Sequence, residues 1–176
     1  MAQFDGIKSG KWIVEQMDAR SITIGNGDED TFSPKSVHLV ITSPPYWYLK
    51  DYGFEGQFGY GQDYKTFFNS IMEVLSYKMH KVLVPGGIMC VNVGSIFKKN
   101  KMGDFQRFPL PGDLESFLSN YGAGAGFQPL PKILWKKITS TRNAAFLGSG
   151  MLPVNAYVTN DIEDILIFRN GGLRQF

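Results

Sequence analysis

Two short runs, SVHLVITS (36–43) and IMCVNVGS (88–95), are almost continuously apolar. Runs of that kind are expected of strands buried on both faces, and such strands belong to sheets covered by helices. Between them, Phe67, Phe68, Ile71, Met72, Leu75, Met79, Val82 and Leu83 recur at helical spacing over residues 62–83. PGG (85–87) is expected to end that helix. GDLESFLSNYG (112–122) predicts a shorter helix, with Asp113 as its cap and Gly122 as its stop. SITIG (21–25) predicts a short strand before a Gly-Asn-Gly-Asp turn. FQPLPKILWKK (127–137) and DIEDILIFRN (161–170) then predict two strands joined by a long connection. The order points to a doubly wound α/β sheet of parallel strands, finished by an antiparallel hairpin.

The 176 residues favour a single domain, and 43% apolar against 19% charged residues suffices for a packed core. Within it, residues 21–137 form the strand and helix core. Residues 138–160 form a loop too long to be idle, and 161–176 the final strand and tail. No run is long and apolar enough to span a membrane. Cys90 is alone, so an internal disulfide is excluded and a reducing, cytoplasmic setting is expected. With only His38, His80 and Cys90 available, a structural zinc site is not expected. Cys90 and His38 sit inside apolar strands and read as core residues. A net charge of +2 neither demands nor excludes nucleic acid.

The first apolar run ends in SPPYW (43–47). Prolines remove backbone donors, so the strand cannot pair beyond this point. In open α/β sheets, ligands bind beyond the carboxyl ends of the strands. The corner therefore reads as a site. Pro44 and Pro45 fix the backbone, so the carbonyls of Ser43 and Pro44 become acceptors in set directions. Ser43 adds a hydroxyl and Tyr46 a flat ring. Acceptors beside a stacking surface suit a planar group with an exocyclic amine, such as cytosine or adenine.

TSPPYW (42–47) resembles the catalytic motif of the amino-methylating DNA methyltransferases, whose core is Asp/Asn/Ser-Pro-Pro-Tyr/Phe. GNGDED before the strand resembles the family's Gly-Asp turn, although His38 departs from the acidic residue usual there. VLVPGGIMCVNVGS, and KILWKK with NAYVTNDIEDILIFRNGG, resemble later parts of the same family. The likeness covers roughly residues 21–172. It implies a Rossmann-like fold, S-adenosylmethionine as cofactor and double-stranded DNA as partner. It implies Ser43, Pro44, Pro45 and Tyr46 as catalytic residues, and Asp28 with Ser43 at the cofactor. The Ser form of the motif is most typical of N4-cytosine methylation in restriction-modification systems, with N6-adenine as the alternative. Tyr46 is expected to hold the extruded base face to face, and Trp47 either to contact it or to pack into the wall of the site. Lys136, Lys137 and Arg142 are candidates for phosphate contact. Asn155 belongs to the target-side loop.

FLGSG (146–150) imitates a cofactor glycine loop, but no strand precedes it, and it is assigned to the target-side loop. YGAGAG (121–126) is assigned to a helix stop. The chain resembles the catalytic half of a permuted arrangement in which the cofactor half comes last. A missing C-terminal part or a second polypeptide would then carry the cofactor loop, and self-association is also expected. An incomplete DNA-binding or scaffolding subunit is the non-enzymatic alternative.

Overall fold

A computed structural model describes residues 8–9, 12–14, 16–25, 31–99, 105–119, 126–137 and 161–173. Near the N-terminus, β1 (Lys8–Ser9) and β2 (Trp12–Ile13) pair antiparallel. A 3-10 turn (Ala19–Ser21) follows. Then β3 (Thr23–Ile24) pairs in parallel with β4 (Thr31–Phe32). The first apolar run becomes β5 (Val37–Thr42). The helical stretch becomes α1 (Tyr64–Met72), a π-helical segment (Glu73–Lys78) and α2 (Met79–Val82). The second apolar run lies in β6 (Leu83–Val93), followed by the hairpin β7 (Ile96–Lys99) and β8 (Phe105–Phe108). The chain continues through α3 (Leu110–Ser119), β9 (Phe127–Lys136) and β10 (Ile162–Asn170).

The main sheet has the order β5-β6-β10-β9. β5 and β6 are parallel, with Val40 opposite Met89 and Thr42 opposite Val91. β10 runs antiparallel to both β6 and β9. The expected parallel start and antiparallel finish are present, and β10 is the inserted central strand.

The core lies on one face of this sheet. Met89, Val91 and Val93 of β6 and Leu166 and Phe168 of β10 alternate with outward residues. They meet Phe67, Ile71, Leu75 and Leu114 of the helices. The other face is open among the described residues. Leu39, Ile41, Ile133 and Trp135 are exposed there, Ile41 to 74%. The expectation that the first run is buried on both faces is therefore corrected. His38 is exposed too, not a core residue. A continuous apolar run cannot say whether both of its faces find cover within the same chain.

Two smaller expectations also change. The helical stretch ends at Val82, and PGG lies inside the β6 span, where the β5–β6 register shifts. Asp113 does not cap α3, which begins at Leu110. Its carboxylate instead accepts the Tyr64 hydroxyl at 2.6 Å and ties α3 to α1. The real cap on α1 is Asp63, which accepts the Thr66 amide at 2.9 Å. At the far end, the buried Asn170 amide donates to the Leu83 carbonyl at 2.8 Å and so closes the helix-to-strand junction. No described helix is long and apolar enough to cross a membrane.

Candidate active site

The corner Ser43–Trp47 follows β5 at its carboxyl end. Pro44 is buried and Ser43 exposed. No hydrogen bond occupies the Ser43 hydroxyl among the described residues. A cavity of about 1230 Å³ opens beside the corner. Thr42, Ser43, Pro44 and Pro45 form one wall. Asp18 and Arg20 stand on another, and Ile71, Val74 and Leu75 line it from the helix. Arg20 is paired with Asp18, its Nη2 lying 2.5 Å from Oδ2. That hydrogen-bonded pairing holds the Asp18 carboxyl below the usual carboxylate range.

Tyr46 is half-buried over the end of β6. A Cβ added at Gly94 would stand 3.5 Å from Tyr46 Cε1 and 3.2 Å from Glu163 Cγ, so the ring rests on a residue without a side chain. The Tyr46 hydroxyl is buried beside Glu163 without a hydrogen bond of good geometry. Burial first, and the Glu163 charge second, push the phenol well above its ordinary range, so it stays neutral. Burial alone would also raise the Glu163 carboxyl. Hydrogen bonds from Lys137 and Asn92, with the Lys137 charge, outweigh it and hold the group below its ordinary value. Lys137 Nζ lies 2.5 Å from Oε1, and Asn92 Nδ2 2.9 Å from Oε2. Glu163 is therefore an anchored anion beneath the ring.

Trp47 takes the packing alternative. It is only 3% exposed and belongs to the core cluster. Its φ of 44° lies in the left-handed region, where a bulky residue is strained. This backbone turn drives the indole inward. Its Nε1 donates to the Gln62 carbonyl at 2.9 Å, just before α1. Its ring meets Tyr48, Tyr64 and Phe108 edge-on and stacks with Phe67. Gly59 allows the fit. A Cβ there would come within 2.7 Å of the Trp47 Cα.

The remaining expected residues separate. Lys136 is exposed at the end of β9. Lys137, expected at phosphate, has its ammonium on Glu163. Asp28, Arg142, Asn155, the loop 138–160 and FLGSG lie outside the described residues. Sequence reasoning missed Glu163, Asn92, Gln62 and Gly59. Only Glu163 left a signal, as one of two acids, with Asp164, in the otherwise apolar stretch IEDILIF.

The fold matches that of TTHA0409 from Thermus thermophilus, solved in complex with S-adenosyl-L-methionine. The TM-score is 0.60 and the identity 30%, over 90% of this chain and 55% of that one. The class is thus the Rossmann-like fold of S-adenosylmethionine-dependent methyltransferases. The DNA methylase family model of the N6/N4 type matches residues 37–175, and the chain belongs to that family. The type II methyltransferase M.MjaI of Methanocaldococcus jannaschii is 38% identical over 84% of this chain and 54% of its own length. M.MthZI of Methanothermobacter thermautotrophicus is 35% identical over 86% of this chain and 44% of its own. The chain spans about half the length of these relatives.

Proposed function

We propose that this chain carries the catalytic corner of a DNA methyltransferase that modifies N4 of cytosine, with S-adenosylmethionine as cofactor. The observation that supports it is the exposed Ser43 hydroxyl at the end of β5, set on two prolines beside a cavity and a half-buried tyrosine. An amine conjugated with a ring is a poor nucleophile, because its lone pair is delocalised. Ser43 Oγ and the Pro44 carbonyl would accept the two amine hydrogens. That favours a pyramidal nitrogen and frees the lone pair. The cofactor, when bound, supplies a methyl group on a sulfonium. The corner contributes position, and no covalent enzyme intermediate is needed. Tyr46, neutral and braced by Gly94 and Glu163, would hold the extruded base face to face.

The cavity fits one side of such a cofactor. Its walls offer a hydroxyl, an ion pair and an apolar floor. Ser43, with Asp28, would hold it. Lys136, Arg142 and Asn155 would meet the DNA, and the cytoplasm is where this chemistry finds its substrate. Mass spectrometry of nucleosides from DNA exposed to the active protein tests the base. N4-methylcytosine is expected, and N6-methyladenine alone would move the assignment to adenine.

A second polypeptide segment belongs against the open sheet. β5 is an edge strand among the described residues, and apolar Leu39 and Ile41 stand exposed on it. The 176-residue chain by itself should then bind S-adenosylmethionine weakly and self-associate. Calorimetry and light scattering check the two halves. Tight binding by a monodisperse monomer would remove the need for a second segment.

A further inference from the structure

The segment after the corner, residues 49–60, exposes an unusual set of rings. Tyr52 is 57% exposed, Phe54 58% and Tyr60 51%. Yet the backbone that carries them is tied down. Gln57 is a buried polar residue at 4% exposure. Its Nε2 donates to the Lys50 carbonyl and its Oε1 accepts the Tyr52 amide, each at 2.7 Å. The Gly53 amide donates to Asp51 Oδ1 at 2.7 Å. From the N-terminal side, Arg20 Nη2 donates to the Gly56 carbonyl at 2.7 Å, and its guanidinium sits 4.6 Å from the Phe58 ring centre. Gly59 is wedged against Trp47. Rings held outward on a pre-organised loop are costly in water and useful against a flat partner.

Three observations indicate the partner. The loop is continuous with the corner, and Phe54 lines the same cavity as Ser43 and Pro44. Beyond the corner, the β7–β8 hairpin carries Lys98 and Arg107. It is docked on the corner itself. Tyr48 donates to the Phe97 carbonyl at 2.5 Å, and Lys98 Nζ lies 4.3 Å from the Trp47 ring centre. Cations on that side suit phosphates. The loop is different. Its Lys50 is set against Asp51 and Glu55, so the loop carries no net positive charge for phosphate; what it offers is its exposed rings, and rings suit base faces.

We propose that the loop 49–60 enters the duplex at the target step, with Tyr52, Phe54 and Tyr60 stacking on the partner base left unpaired, and on the neighbouring base faces uncovered, when the target nucleotide leaves. This rests on the DNA-methyltransferase reading above and assigns a separate task to residues outside the corner. Every base has a stacking face, so the contact is indifferent to sequence and sensitive to pairing.

The test uses the full 176-residue chain and three fluorescent oligonucleotides: a perfect duplex, the same duplex with an abasic site opposite one cytosine, and the single strand. Wild-type protein should bind the last two roughly tenfold tighter than the perfect duplex, because strand opening is already done. The triple variant Tyr52→Ala, Phe54→Ala, Tyr60→Ala should lose that preference while keeping its melting temperature, since the rings are exposed. Should it melt early, the triple leucine variant keeps apolar bulk without rings and should lose the preference too. A ring-free variant that still prefers unpaired bases overturns the loop's role. So does a wild-type chain that binds all three DNAs equally. A wild-type chain that binds none of them overturns the DNA reading as well.

Discussion

Ser43→Ala and Tyr46→Ala should each lower methyl transfer on the order of a hundredfold, the scale on which misplacing a reacting group acts. The fold should survive both. Ser43 is exposed and its hydroxyl holds nothing else among the described residues. Tyr46 is half-buried at the rim, and its hydroxyl lacks a well-formed bond. The measurement is single-turnover transfer to DNA, with a thermal melt beside it, in an assembly that binds cofactor. Tyr46→Phe separates the ring from the hydroxyl and should stay near wild type. The ring is the stacking surface, and the phenol is kept neutral by burial and by Glu163. Near-normal rates from both alanine variants would remove the corner from the chemistry.

The second large effect is on stability. Trp47→Ala should cost about 3–5 kcal/mol, the usual range for deleting a large buried aromatic. The indole fills the space between the corner, α1 and β8, and its removal also frees the Gln62 carbonyl. The left-handed backbone at Trp47, strained by about 1–2 kcal/mol, would then have nothing to hold it. Trp47→Phe keeps a ring but loses the bond to Gln62 and should cost less. Urea unfolding of the three proteins gives the ranking. An unfolding midpoint for Trp47→Ala equal to wild type would mean that the corner is held elsewhere.

The strands were legible because apolar runs and paired prolines are local signals. SVHLVITS and SPPYW lie next to each other in the chain, and the structure keeps them together as a strand and its corner. What surrounds Tyr46 was not legible. Gly94, Asn92, Lys137 and Glu163 come from three distant segments and meet only when β10 inserts between β6 and β9. Trp47 stayed open between two readings for a related reason. Aromatic residues on a corner suit a ligand and a core equally well, and the sign of one φ angle decides between them. The one-sided sheet escaped notice because residue type records a preference for burial, not whether the same chain supplies the cover.

The π-helical segment Glu73–Lys78 limits how the gene can vary in length. A π turn closes its hydrogen bond one residue later than an α turn, so it holds a residue that a regular helix would lack. Losing one codon there would let the helix close as a regular α-helix with its flanks in place, whereas losing one from α1 instead would rotate everything beyond by about 100°. Met79 and Val82 would swing off the core. Lys78, whose ammonium now donates to the carbonyls of Arg20 and Ile22, would release the N-terminal segment that walls the cavity. Single-residue deletions should therefore be found among working variants within Glu73–Lys78 more often than within α1.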